Sequence, residues 1–85
     1  MNTLEADIRK VFADVWTLEK GSQPPVLLPD TVLLETGLDS LGFAIFVSAL
    51  DEALGFDPFT LSEDAFYPQT FDEFVTFYER YRPKA

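Results

Sequence analysis

Apolar residues recur at helical spacing near both ends of the chain. The first set predicts an amphipathic helix over residues 3–19, with Thr3 as its N-cap and Gly21 as its stop. Its apolar stripe comprises Leu4, Ile8, Val11, Phe12, Val15 and Trp16. The second set predicts a last helix, which Thr70 opens through a capping box with Glu73 and which Pro83 follows. Its inner stripe comprises Phe71, Phe74, Val75 and Tyr78.

Residues 40–54 predict a middle helix that Gly55 ends. Because most of its residues are apolar, its faces are assigned on a wheel at about 100° per residue. The inner face then comprises Phe43, Phe46, Val47, Leu50 and Leu54. The opposite face comprises Leu41, Ile45, Ser48 and Glu52. We therefore expect Leu41 and Ile45 to be exposed one turn apart, as a small contact surface.

Prolines separate these helices. Pro24, Pro25 and Pro29 predict a long connection over residues 21–38, pinned to the core by its leucines, with one helical turn near residues 30–33. Residues 56–69 are predicted to be irregular, with breaks at Pro58 and Pro68 and a short helix at about residues 62–66. No strand-like alternation occurs.

The expected fold is therefore a single all-α domain over residues 1–85. It is a small four-helix bundle of three main helices and one short helix, with a long first loop.

Fifteen acidic residues against six basic ones give the chain a net charge of −9. Residues 21–79 carry eleven of the acids and neither Lys nor Arg, so the acidic field belongs to the middle of the chain. Such a surface repels nucleic acid and anionic lipid and favours partners with basic patches. The chain has no Cys and no His, which excludes a disulfide scaffold, a Cys/His zinc site and a His-activated nucleophile.

No catalytic constellation and no metal-binding motif is visible, so we expect neither an enzyme acting alone nor a calcium sensor. The first residues do not resemble a signal peptide, and the longest apolar stretch, 41–50, is too short to span a bilayer. We expect a cytoplasmic monomer without membrane insertion. Helix caps at both ends favour a chain that acts by itself.

The candidate site lies at residues 37–41, between the long loop and the middle helix. Asp39 is expected to be the N-cap and Ser40 the first helical residue. The Ser40 hydroxyl would then face solvent at the positive end of a helix dipole, where a phosphate is well placed. Most Asp-Ser pairs at helix starts only cap the helix, but the leucine-rich loop and the acidic, all-helical chain favour a functional role here.

In this context the triplet Asp39-Ser40-Leu41 resembles the attachment motif of the acyl carrier proteins, a family of phosphopantetheine-bearing four-helix domains. The resemblance extends through the middle helix, the break at residues 55–57 and the last helix. It implies that a phosphopantetheinyl transferase attaches 4′-phosphopantetheine from coenzyme A to Ser40. It also implies that Asp39 helps to engage the transferase and its Mg²⁺, and that the arm carries cargo as a thioester to ligases, synthases or transferases.

The resemblance further implies a docking face on the middle helix, formed by Leu41, Ile45, Ser48, Asp51 and Glu52. In typical fatty-acid carriers this face is acidic, whereas Ile45 and Ser48 are not. We therefore expect a specialised carrier that docks on dedicated enzymes more by apolar contact than by charge. Gly42 also departs from expectation, since an interior glycine costs a helix about 1 kcal/mol. Either it permits close approach of a partner or of the arm, or it has no role.

Several alternatives stay open. The cargo is either an acyl intermediate of fatty-acid, polyketide or related biosynthesis, or an aminoacyl or peptidyl group loaded by a dedicated ligase. An alternative of another class is an acidic helical interaction module without a cofactor, in which Leu41 and Ile45 bind a partner. The family can hide an acyl chain among its helices, and aromatic residues either fill that space here or part around a chain. These residues are Phe43, Phe46, Phe71, Phe74 and Phe77.

Overall fold

The computed structural model describes residues 3–61 and 68–82. Across these ranges the chain forms four α-helices and one 3₁₀ turn, and an isolated antiparallel bridge joins Val32 to Thr70. The helices are α1 (Thr3–Lys20), α2 (Ser40–Leu54), α3 (Pro58–Leu61) and α4 (Phe71–Arg80), and the 3₁₀ turn covers Leu33–Glu35. The predicted small all-α fold and its three long helices are confirmed.

The prediction for residues 56–61 was wrong. Pro58 does not break the chain there but begins α3, because the first position of a helix does not need the N–H that proline lacks. The Asp57 carboxylate accepts a hydrogen bond from the Phe59 N–H at 2.9 Å and stabilises this start. The short helix expected at residues 62–66 and the stop at Pro83 lie outside the described residues. At the other end, Thr3 is already the first residue of α1 rather than its N-cap.

An aromatic cluster joins all four helices in the core. The rings of Phe46 from α2 and Phe74 from α4 stack at its centre, 5.3 Å apart and 18° from parallel. Phe12 from α1 meets the edge of Phe46 at 5.4 Å, and Phe59 from α3 lies 6.4 Å from Phe74. We define the aromatic cluster as Phe12, Phe43, Phe46, Phe59, Phe74 and Tyr78; the rings of Trp16, Phe56 and Phe77 contact it from outside. Such ring pairs stabilise a core beyond the burial of their area, so this cluster fixes how the helices pack.

The hydroxyl of Tyr78 is buried, and within the described ranges it has no hydrogen-bond partner. Burial raises the pKa of this hydroxyl, and the carboxylates of Asp57 and Asp51 raise it further. Tyr78 therefore stays neutral and contributes to the core mainly through its ring, 4.7 Å from that of Phe74.

The long first loop is pinned to the core by three of its leucines, as the sequence predicted. Leu27, Leu33 and Leu38 are buried, whereas Leu28 and Leu34 are exposed. The helical turn in this loop lies at Leu33–Glu35, slightly later than expected.

Backbone hydrogen bonds fasten the loop to the start of α4. The N–H groups of Phe71 and Asp72 donate to the carbonyls of Thr31 and Pro29, at 2.8 and 2.9 Å. The Leu33 N–H donates to the Gln69 carbonyl at 3.0 Å. The first amides of a helix have no partner within it, so the loop satisfies donors that α4 would otherwise leave open.

Arg9 links α1 to the long loop and to α4. Its Nη1 donates to the Leu27 carbonyl at 2.9 Å, and its Nε donates to Glu5 at 3.2 Å. The guanidinium also lies 4.5 Å from the centre of the Phe71 ring, a cation–π contact. One half-buried base therefore fixes α1 against the loop and α4.

The predicted capping box at α4 is confirmed, and it makes stability depend on pH. The N–H and hydroxyl of Thr70 and the N–H of Gln69 donate to the Glu73 carboxylate and lower its pKa from the ordinary value of 4.5. The stability that this lowered pKa provides is present above 4.5 and is lost as pH falls through the folded-state value. We expect Glu73→Gln to be less stable than wild type at neutral pH, and the difference to shrink in acid.

Urea unfolding of both proteins across the acid range measures this difference. Asp72→Asn is the matched control, because Asp72 lies in the same turn but outside the capping box. A Glu73→Gln difference that stays constant with pH would contradict the assignment.

Candidate functional site

Ser40 is the first residue of α2, and its side chain is exposed. Asp39 precedes it as the N-cap, with extended backbone, and its Oδ1 accepts a hydrogen bond from the Gly42 N–H at 2.8 Å. The Asp39 carbonyl accepts from the Phe43 N–H at 2.8 Å, which begins the helical ladder. The predicted roles of Asp39 as cap and Ser40 as first helical residue are confirmed. The hydroxyl is therefore presented to solvent at the positive end of a fifteen-residue helix.

Gly37 sets the direction in which the chain enters this site. Its φ of +112° is one that side-chain-bearing residues rarely adopt, and a Cβ placed there would lie 3.1 Å from the Trp16 ring. Trp16 is itself held in place, because its Nε1 donates to the Ser22 hydroxyl at 3.3 Å. The turn before Ser40 is thus built against the indole of α1.

Gly42 has an internal role. It is buried, and a Cβ on it would lie 2.7 Å from Cδ1 of Leu38 and 3.2 Å from Oδ1 of Asp39. The close approach that this glycine permits is therefore to its own chain, with Leu38 in the core and Asp39 in its capping position. The sequence alone suggests only close approach of a partner or of the arm, or no role.

Four of the five residues of the predicted docking face are exposed. Leu41 is 68% exposed, and three polar residues further along α2 are also exposed: Ser48, Asp51 and Glu52. The prediction that Ile45 is exposed was wrong, because Ile45 is half-buried and packs against the core together with Ala49. A helix that is apolar on most sides buries a wider arc than the wheel assumes. Ala44 lies exposed in its place.

The exposed face of α2 (Leu41, Ala44, Ser48, Asp51 and Glu52) is apolar near Ser40 and acidic at its far end. The acids begin eleven residues after Ser40, about 16 Å along the helix axis. In the loop before the site, Leu34, which is 55% exposed, and Glu35 line a groove with Phe43. A partner that reaches Ser40 therefore meets the exposed Leu41 and the single acid of Asp39, rather than an acidic stripe.

Two apolar grooves flank Phe43, one helical turn after Ser40. One has a volume of about 400 Å³ and is lined by Val32, Leu33, Leu34, Glu35, Phe43, Pro68 and Gln69. The other has a volume of about 300 Å³ and is lined by Phe43, Ala44, Val47 and Phe59. Sequence reasoning missed both grooves, because it placed the 3₁₀ turn too early and had no helix at α3.

Comparison of the chain with protein-family models, curated proteins and solved structures finds no match. In residues 3–61 and 68–82, no helix is long and apolar enough to cross a bilayer. The same residues contain no group of three or more acidic side chains that could hold a metal ion.

Gly37→Ala tests how the site is supported. We expect this variant to lose about 3 kcal/mol of unfolding free energy, because alanine is strained at this φ and its methyl group meets Trp16. Gly21→Ala is the matched control, since Gly21 also has a positive φ, +66°, but open space where the methyl group would lie. It should lose about 1 kcal/mol. Urea unfolding measures both, and equal losses would show that Trp16 does not constrain the turn.

Proposed function

We propose that this chain is a carrier protein that takes a 4′-phosphopantetheine arm on Ser40 and delivers its cargo to partner enzymes of fatty-acid, polyketide or related biosynthesis. The observation that carries the proposal is the placement of Ser40. Its hydroxyl is exposed at the first position of α2, directly after a capping aspartate and before the exposed Leu41. This is the arrangement that the resemblance to acyl carrier proteins implies.

The residues around Ser40 suit modification by another enzyme. No histidine exists to activate the hydroxyl, so we expect the base to come from a transferase. In the transfer, Ser40 Oγ forms a bond to the phosphorus of the phosphopantetheine half, the pyrophosphate bond of coenzyme A breaks, adenosine 3′,5′-bisphosphate leaves, and the hydroxyl proton passes to the transferase. The positive end of the α2 dipole favours a phosphodiester at this position. When bound, the arm supplies the thiol that holds cargo as a thioester, which this cysteine-free chain lacks.

Asp39 has two compatible roles in this proposal. Its Oδ1 caps α2 through Gly42, and its exposed carboxylate also adds negative charge beside Ser40, where the transferase must place Mg²⁺. Leu41 and Ala44 would contact the transferase and later partners, because they are exposed on the same face as Ser48. We expect these partners to be dedicated enzymes with apolar contact surfaces near their active sites.

An aminoacyl or peptidyl carrier loaded by a ligase would use Ser40 in the same way. The alternative of another class, an interaction module without a cofactor, is favoured only by the exposure of Leu41, which the carrier explains equally well.

Loading with coenzyme A separates the carrier from the interaction module. We expect the wild-type chain, incubated with coenzyme A, Mg²⁺ and a broad-specificity phosphopantetheinyl transferase, to gain the mass of one arm. Ser40→Ala should gain none. Thr17→Ala is the matched control, because Thr17 is an exposed hydroxyl residue on α1, outside the predicted docking face, and it should load like wild type. Intact mass spectrometry measures all three, and an unchanged wild-type mass would remove the carrier proposal.

Two substitutions at Asp39 separate its roles. Asp39→Asn keeps an oxygen that can accept from the Gly42 N–H, so its stability should stay close to that of wild type, whereas Asp39→Ala should lose about 1 kcal/mol. Both variants lack the carboxylate and should load more slowly than wild type in an initial-rate assay with limiting transferase. If Asp39→Asn loads at the wild-type rate, the aspartate acts only as a cap.

A further inference from the structure

The space between α2, α3 and α4 is occupied by aromatic rings. Around Phe74, the ring centres of Phe43, Phe46, Phe59 and Tyr78 lie at 5.9, 5.3, 6.4 and 4.7 Å. Phe46, Phe74 and Tyr78 have no exposed surface. These distances are those of rings in direct contact. Side chains of this protein therefore already fill the region toward which α2 runs from Ser40.

An alkyl chain could enter this region only by separating the rings. Moving α2 away from α4 would break the stack of Phe46 on Phe74 and also the edge contact of Phe12 with Phe46, which joins α1 to the same cluster. Close-packed interiors resist added volume, because rings must leave their preferred positions to make room. The ring contacts that hold the bundle together therefore also exclude a long chain from its interior.

The remaining apolar space near Ser40 lies at the surface. The two grooves beside Phe43 are open to solvent, so a long chain in either would keep part of its length in water. Each additional methylene left in water adds to the cost of carrying such a chain, whereas a cargo of few carbons or with polar groups has little to hide.

We infer that this carrier keeps its cargo outside the helical bundle, and that the cargo is a short or polar acyl group or an aminoacyl group. The inference rests on the proposed attachment at Ser40 and adds the class of cargo. Phe46 and Phe74 act on the cargo indirectly in this account, because they fill the interior that a long chain would need.

The test compares cargo length on the same protein. A broad-specificity transferase loads the wild-type chain from acetyl-, octanoyl- and dodecanoyl-coenzyme A, and intact mass confirms each product. The melting temperatures of the three forms should agree within about 2 °C, because none of the chains enters the bundle and a surface groove covers at most part of a long chain. Hydroxylamine should cleave the three thioesters at rates within about twofold of one another. A thioester whose chain was buried would be less accessible to the reagent and would react far more slowly.

Phe46→Leu provides the complementary variant, because it removes one ring from the centre of the cluster. We expect its dodecanoyl form to melt about 4 °C or more above its acetyl form. Phe77→Leu is the matched control, since the Phe77 ring contacts Phe59 and Tyr81 at the edge of the bundle, outside the central stack. Its forms should behave like those of wild type.

The outcomes separate this inference from the proposed function. If the chain does not load at all, the proposed function fails and the inference fails with it. If it loads, and the dodecanoyl form of wild type is clearly stabilised or protected from hydroxylamine, the proposed attachment at Ser40 is retained. The inference that the cargo stays outside the bundle is then overturned. If a folded Phe46→Leu variant melts at the same temperature with dodecanoyl as with acetyl cargo, the stack of Phe46 on Phe74 is not what excludes a long chain. If that variant does not fold, the wild-type comparison decides alone.

Discussion

The contact between Phe46 and Phe74 is the one on which the rest of the structure depends. It joins α2 to α4, and through Phe12 and Phe59 it also brings in α1 and α3. A chain of 85 residues buries a smaller share of its surface than a larger domain, so few contacts must stabilise much of it. Aromatic rings suit this need because each buries a large area with few rotatable bonds. The close packing of these rings also leaves little room for anything else inside the bundle.

A second set of contacts positions the candidate site on this core. The loop between α1 and α2 supplies carbonyl groups to the first amides of α4, while Arg9 holds the loop from the side of α1. With the loop fixed at both places, Gly37 turns against Trp16 and Asp39 caps α2. Ser40 is therefore exposed at the start of a helix that the packed loop, Gly37 and the Asp39 cap hold in place. In the proposed carrier, this arrangement would let each partner meet the arm's attachment point in the same geometry.

Local signals in the sequence predicted much of this, and long-range packing accounts for the rest. The bounds of α2, the Asp39 cap and the capping box at Thr70 depend on neighbouring residues, and they were predicted correctly. Ile45 was misplaced because a wheel assumes one buried face, whereas α2 packs over a wider arc. The role of Gly42 depends on where Leu38 packs, which periodicity does not reveal. The sequence prediction treats Pro58 as a break, although proline also begins helices and the preceding Asp57 is a local signal of a helix start.

The central claim is that the exposed hydroxyl at the start of α2 is the attachment point of a covalent arm. The most direct measurement is to locate the added group by tandem mass spectrometry of proteolytic fragments, after treatment with coenzyme A and a phosphopantetheinyl transferase. The account predicts one phosphodiester-linked group, on the fragment that contains Ser40 and assigned to that residue. A group located on Ser22 or Ser48, or a protein that remains unmodified while a known carrier in the same reaction is fully converted, would contradict it.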